Sequence, residues 1–359
     1  MGSPDPTPTS DWPPAAGSGV GAGVTPFQTD ADATIRLAAQ AEQLGYARFG
    51  AAEGWTHDAV VVLTQIAGVT SRIGLGTGVL SVWSRTPASI AMAATGLQRV
   101  SGGRFALGLG ASSPPLVEGL HALAWRQPVD RMRTTLVAVR ALLEGNRVPI
   151  DREDVRALRL GTIPDRPIPI LLAALAPSSI RLAGELADHW LPFLWARPRL
   201  ADGRALLAEG EARAETPART GITVSVPLAI AEDDETARQI AAGWLLAYLT
   251  RMGPLYPRML RDRFGYVQEV DALLDANADG GLPRLPAAAE RLAHDVTVMA
   301  TYDQAPDAVR LWLQAGSDAI DLVLPLGLPE EQLHEMLEAA APAAAAPRVE
   351  PPGGPENET

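Results

Sequence analysis

The 359-residue chain reads as an α/β protein, and as a (β/α)8 barrel in preference to an open doubly wound sheet. Three observations lead there. Apolar runs of strand length alternate with helical patterns, which is the signature of βαβ units and a parallel sheet. Eight such strand runs can be counted, as a closed barrel requires. The composition, 47% hydrophobic and 20% charged, supplies enough apolar material for one large core.

The first strand is the small-residue run SGVGAGVTPF (18–27). The helix TDADATIRLAAQAEQLG (29–45) follows, with Thr29 or Asp30 as N-cap, Ile35, Ala38, Ala41 and Leu44 on one face, and Gly45 as the stop. The second strand is ARFGAAE (47–53), then a helix over 57–70. The third strand is IGLGTGVL (73–80), then a helix over 86–102; the fourth is RFALGLG (104–110), and the helix over 128–145 comes after a loop at 112–128. IPILLAA (168–174) is the fifth strand and HWLPFLW (189–195) the sixth, each followed by a helix (177–188 and 199–214). GITVSVPLAI (221–230) is the seventh strand. The eighth, AIDLVLP (319–325), comes only after a long helical stretch from about 233 to 316, of which Asp233 to His294 is read as an insertion before the last strand, with 112–128 and 145–167 as shorter ones. Residues 1–17 and 341–359 are rich in Pro, Ala, Gly and Ser and are expected to be disordered tails on a domain spanning 18–340.

Bulk chemistry narrows the function. A formal charge of −12 disfavours nucleic acid and anionic membrane surfaces as main partners and points to small molecules. No run is long and apolar enough to span a membrane, and the acidic, proline-rich start lacks the pattern of a secretory signal, so a cytoplasmic location is expected. There is no cysteine, which excludes disulfides, thiol nucleophiles and thiolate metal sites. All 30 basic residues are arginine, which excludes Schiff-base chemistry on the protein. The five histidines form no metal-binding motif, so no catalytic metal is expected.

In a barrel of this kind chemistry sits at the C-terminal strand ends. Glu53, His57 and His121 lie there and are candidate proton donors; Glu118 and His121, three apart, would share a helix face. The turn Leu175–Ala176–Pro177–Ser178 leads straight into a helix with Pro177 at its first position, leaving free amides at the helix start. It is either an ordinary βα turn or an anion site. The runs GLGTGVL and LGLGAS fall short of G-x-G-x-x-G, so a dinucleotide fingerprint is rejected. Trp55, Trp83, Trp125 and Trp195 fall in the same loops and suggest an aromatic-lined cavity for a flat ligand. Gly74, Gly76 and Gly78, spaced two apart in one strand, indicate a bulge or the close approach of something flat.

The stretch TSRIGLGTGVLSVWSRTPASIAMAATGLQRVSGGRFALGLGASSPPLVEGL resembles the luciferase-like monooxygenase superfamily, and within it the actinobacterial-type oxidoreductases that use the deazaflavin coenzyme F420. The blocks AEQLGYARFGAAE, IPILLAALAPSSIRLAGELADHWLPF and APDAVRLWLQAGSDAIDLVLP match in the same order. The resemblance implies a TIM barrel of the bacterial-luciferase-like type, a homodimer and an oxidoreductase. It implies a bulge with a non-prolyl cis peptide at Gly78–Val79 backing the cofactor ring, with Ser81, Gly110 and Ala111 lining ring or ribityl chain, and Leu175, Ala176, Pro177 and Ser178 holding the phosphate. Two departures stand out. Ala176 occupies a position that is usually glycine, and Glu53-Gly54 replaces the Asp-His pair of the sugar-phosphate and alcohol dehydrogenases. The expected reaction is hydride transfer between F420 and an activated alkene, imine or carbonyl. The alternatives are a monooxygenase using reduced FMN and oxygen, or a non-catalytic subunit. Arg85 and Arg197 are candidates for the acidic tail of F420.

Overall fold

The computed structural model describes residues 19–344, so the tails expected at 1–17 and, from residue 345, at 341–359 lie outside the described residues. The described residues hold ten strands: β1 (Val20–Val24), β2 (Arg48–Ala51), β3 (Gly74–Thr77), β4 (Leu80–Ser81), β5 (Phe105–Gly110), β6 (Ile170–Ala173), β7 (His189–Trp190), β8 (Gly221–Ala231), β9 (Val298–Thr301) and β10 (Ala319–Leu324). All pair in parallel. The order β10-β1-β2-β3-β5-β6-β7-β8 closes through β8–β10, which makes a (β/α)8 barrel. β4 continues the third stave beyond a bulge and pairs with β5, Ser81 opposite Gly110.

Helices α1 (Ala31–Gln43), α2 (Ala59–Val69), α3 (Pro87–Val100), α4 (Pro114–Gly119), α5 (Pro128–Leu143), α6 (Pro177–Leu186) and α7 (Leu200–Glu211) lie between successive strands. Local chemistry explains their limits. Asp30 caps α1 by accepting from the Ala33 amide at 2.9 Å, and the chain leaves the helix through Gly45 at φ 87°. The buried stripe of α1 is Ala33, Leu37, Ala38 and Ala41; the expected Ile35 is only half-buried. Between α6 and α7 the backbones approach so closely that a Cβ on Gly210 would stand 2.0 Å from the Arg181 carbonyl oxygen.

The segment before the last strand holds α8 (Asp234–Arg251), the single turn α9 (Leu255–Pro257) running into a π-helical stretch Arg258–Arg263, α10 (Val267–Ala276) and α11 (Glu290–Val296). It is not wholly helical: β9 sits within the expected helical stretch and pairs with Leu228–Ala231 of β8. β8 changes partner beside Pro227, which has no amide to donate; Thr223–Pro227 face β10 and the four residues beyond face β9. α12 (Ala305–Leu313) and α13 (Glu330–Ala344) complete the ring, and α13 carries the domain past the expected boundary at 340.

Inside the barrel the floor is polar and hydrogen-bonded. Arg48, 2% exposed, donates through Nε to Asp321 Oδ1 at 2.8 Å and through Nη2 to the same oxygen at 2.6 Å and to the Ile320 carbonyl at 2.7 Å. Gly21 makes room, since a Cβ there would fall 2.2 Å from Asp321 Oδ1. His189 Nδ1 bonds Thr223 Oγ1 at 3.0 Å, and burial holds the imidazole pKa below its usual value. Above this floor Ala106, Leu171 and Leu191 pack with Val79. With so many small side chains facing inward, a cavity of ≈ 190 Å³ is left where a barrel of larger residues would be filled. Among the described residues no helix is long and apolar enough to cross a membrane.

Candidate active site

The cavity opens at the C-terminal strand ends, and its two sides differ. On one side the peptide Gly78–Val79 is cis, as the resemblance implies, and both residues line the cavity. The bulge is tied in place by Gly78 N–H donating to the Ala51 carbonyl at 2.9 Å and Glu53 N–H donating to the Val79 carbonyl at 3.2 Å. No atom lies within 4 Å of where a Gly78 Cβ would stand, so the bulge presents bare backbone to open space. Behind it the packing is tight: a Cβ on Gly108 would lie 1.9 Å from the Thr77 carbonyl oxygen, and one on Gly110 would lie 2.9 Å from Val79 Cγ2. Ser81 Oγ accepts from the Trp83 amide at 3.2 Å, and the Ala111 carbonyl accepts from Trp125 Nε1 at 3.3 Å.

At the mouth a second cavity of ≈ 620 Å³ is lined by Glu53 to Asp58, Ser84, Arg85, Thr86, Ser89 and His121. Glu53, His57 and His121 are thus brought together there, but Glu53 alone also lines the inner cavity. Arg85 Nη2 donates to Glu53 Oε2 and to Asp58 Oδ2, each at 2.7 Å, and Ser84 Oγ donates to Glu53 Oε1 at 3.2 Å. Burial pulls the Asp58 carboxyl up, but Arg85 and the amides of Val60 and Val61 hold it below its ordinary value. His57 Nε2 donates to the Thr29 carbonyl at 2.9 Å, which leaves Nδ1 as its free nitrogen. α4 ends at Gly119, so His121 lies beyond it rather than on a shared face with Glu118, whose carboxylate accepts from the Trp125 amide at 3.2 Å. Arg85 is committed to two carboxylates, so it is not the free cation expected for an acidic tail. Arg197 stands 5.9 Å from the Trp312 ring centroid, a cation–π contact.

The turn Leu175–Ser178 runs into α6. Ala176 takes φ −79° and ψ 147°, a conformation open to any L-residue, so alanine in place of glycine brings no backbone strain. Pro177 has no N–H, and the amides of Ser178 and Ser179 have no carbonyl behind them within the helix. Ser179 Oγ is spent on the Ala176 carbonyl at 2.9 Å. Beside this turn the structure supplies a residue that sequence reasoning missed. Arg263, at the end of the π-helical stretch, donates from Nη1 to the Leu175 carbonyl at 2.9 Å and lies over the Trp195 ring, 4.7 Å from its centroid. It forms no ion pair among the described residues; burial draws its pKa below the usual arginine value.

The opposite side of the inner cavity is aromatic. Tyr248 on α8 stands 4.8 Å from Phe193, 5.0 Å from Tyr256 and 5.9 Å from Phe27, centroid to centroid, and Phe27 meets Trp55 at 4.8 Å. Trp55, expected from its loop position, lines the mouth cavity and not the inner one, and Trp83, Trp125 and Trp195 line neither; the tyrosines, on the insertion, were not expected.

The family model described as luciferase-like monooxygenase matches residues 12–319. The chain belongs to the luciferase-like monooxygenase family. Among curated relatives of this luciferase-like chain, the Mycobacterium tuberculosis protein Rv3520c, provisionally named a coenzyme F420-dependent oxidoreductase, is 32% identical over 320 residues, covering 82% of this chain and 90% of that one. The F420-dependent hydroxymycolic acid dehydrogenase of M. tuberculosis is 31% identical over 261 residues, covering 67% and 69%. The F420-dependent tetrahydromethanopterin reductase of Methanopyrus kandleri superposes with a TM-score of 0.70 at 20% identity, over 89% of this chain and 96% of that one, a likeness of fold. This luciferase-like protein is accordingly an oxidoreductase.

Proposed function

We propose that the chain is an F420-dependent oxidoreductase that moves a hydride between the deazaflavin ring and an electrophilic carbon of a small alkene, imine or carbonyl compound. The observation that carries this reading is the bare backbone wall of the bulge at Gly78–Val79, facing the open cavity inside the barrel. The residues fit the group. Gly78, Val79, Ser81, Gly110 and Ala111 would back the ring and ribityl chain, and the amides at Ser178 and Ser179 with Arg263 would take the phosphate. When bound, the deazaflavin supplies the two-electron chemistry. The protein's own part is to hold donor and acceptor at attacking distance and exclude water. Glu53, His57 and His121 at the mouth are the groups through which a proton would pass to solvent.

The F420-linked relatives favour this reading over an FMN monooxygenase, and the open cavity favours it over a non-catalytic subunit. We take the working form to be a cytoplasmic homodimer, for which light scattering should give twice the chain mass. The test of function is anaerobic mixing with reduced F420 and a panel of small ketones, enones and cyclic imines, following the return of the oxidised cofactor's absorbance. Turnover with a member of the panel is expected. Activity that appears only with reduced FMN and oxygen would overturn the proposal.

A further inference from the structure

Burying a tyrosine ring is favourable, but its hydroxyl ordinarily finds a partner, because a polar group withdrawn from water without a hydrogen bond is costly. The five tyrosines divide on this point. Tyr46 donates to the Leu337 carbonyl at 2.9 Å, Tyr266 to Asp295 at 2.6 Å and Tyr302 to Glu335 at 3.3 Å. Tyr248 is buried and Tyr256 half-buried; neither hydroxyl has a hydrogen-bond partner among the described residues and neither is closed off from solvent, so both face the open space of the cavity. These two are the tyrosines that line the inner cavity, across from the bulge. Their rings are fixed against each other and against Phe193, so the hydroxyls sit on a rigid platform.

The charges around them restrict what they could meet. Of the charged residues lining the inner cavity, Arg48 and Asp321 bond each other at the floor, and Glu53 is held by Arg85 at the rim. Arg85 also holds Asp58, so this rim cluster is acidic overall. An anion entering would find no uncommitted cation in the lining, and the rest of the lining beside the tyrosines is largely apolar, Leu171, Leu191, Phe193 and Met252 among it. Burial pushes both phenols above the usual tyrosine range, so they remain donors at neutral pH.

We propose that Tyr248 and Tyr256 are the substrate-recognition residues of this site. They would donate hydrogen bonds to a carbonyl oxygen or imine nitrogen of an uncharged, largely apolar substrate lying between the aromatic wall and the bulge. The proposal rests on the cofactor reading for the identity of the opposite wall, but its test is a binding measurement that does not need turnover. The probes are acetophenone, its hydrocarbon isostere α-methylstyrene, and benzoate, titrated calorimetrically into the full-length protein with and without oxidised F420. Acetophenone should bind about tenfold more tightly than α-methylstyrene, the advantage of one or two net hydrogen bonds, and more tightly than benzoate. The carbonyl carbon resonance of 13C-labelled acetophenone should move downfield on binding. In Tyr248→Phe/Tyr256→Phe, which keeps both rings, the tenfold preference and the shift should disappear while the melting temperature and F420 affinity hold. Equal discrimination in the wild type and the double variant, or benzoate binding as well as acetophenone, would overturn the proposal. Failure of F420 to bind, with the acetophenone preference intact, would strike the cofactor reading instead.

Discussion

On one side of the cavity, β3 to β5 offer backbone and small side chains: Gly76, Gly78, Val79 and Ala106, with Gly108 and Gly110 packed directly behind. On the other, the insertion and the end of β7 offer Tyr248, Tyr256 and Phe193, large rings that meet edge-on or tilted. The first surface is set by backbone geometry, and a methyl added behind it at Gly108 would clash with the Thr77 main chain. The second is set by side-chain packing and can change composition without moving the barrel. On the proposed reading, the wall that takes the flat ring is built from the strands, while the wall that meets the substrate is carried on an inserted segment.

Substitutions can break this contrast. Gly108→Ala should be the most damaging, because its Cβ would stand 1.9 Å from the Thr77 carbonyl oxygen and the strand has no side chain to yield. A loss of about 3 kcal/mol is expected in denaturant unfolding. Gly110→Ala meets the side chains of Val79, at Cγ2 2.9 Å away, and Ala173, at Cβ 3.3 Å away, rather than tight backbone, so it should fold but tilt Val79 into the proposed ring site. Its F420 affinity should fall about tenfold, at a stability cost nearer ~1 kcal/mol. A comparable substitution on the aromatic side, Phe193→Leu, should leave F420 affinity within about twofold; an equal loss there would erase the distinction between the walls.

Arg263→Gln sharpens it further. Losing a charge-assisted hydrogen bond should weaken F420 about tenfold, while the deazaflavin fragment that ends at the ribityl chain and has no phosphate should bind as before. Equal weakening of both ligands would mean Arg263 acts only by supporting Leu175 and Trp195.

A modest, pH-dependent effect is expected at Glu42, which accepts from the amides of Ser71, Arg72 and Ile73 at 3.0, 2.6 and 2.8 Å and so fixes the lead into β3. Burial pulls its carboxyl up, but these amides prevail and hold it below the ordinary glutamate value. A depressed carboxyl contributes stability that is present above its unfolded pKa and is lost as pH falls through the folded one. Glu42→Gln should therefore cost about 1 kcal/mol at pH 7, with the difference from wild type shrinking in the acid range below the usual glutamate pKa. A pH-independent difference would contradict this account.

The barrel was legible because every stave carries a run of apolar or small residues between helical patterns. The cis-peptide wall was legible through Gly74, Gly76 and Gly78 and the family blocks around them. β9 was not, because Val298–Thr301 is only four residues long, follows directly on an amphipathic helix and pairs solely with the far half of β8. The aromatic wall was hidden for a different reason. α8 buries Ala237, Ala241, Trp244, Leu245, Tyr248 and Leu249 around most of its circumference, so no stripe distinguishes a cavity-facing tyrosine from a core one. Only the missing hydroxyl partner does so, and that is a property of the folded chain. Arg263 is likewise invisible in sequence, lying 88 residues from the carbonyl it contacts.

The central claim is that the bulge wall holds a deazaflavin. Its most direct test is anaerobic titration of the purified protein with F420 and, separately, FMN, following quenching of tryptophan fluorescence; Trp195, beside Arg263, is the natural reporter. Saturable quenching by F420, with FMN much weaker, is the predicted result. Saturation by FMN in preference to F420, or by neither, would contradict it.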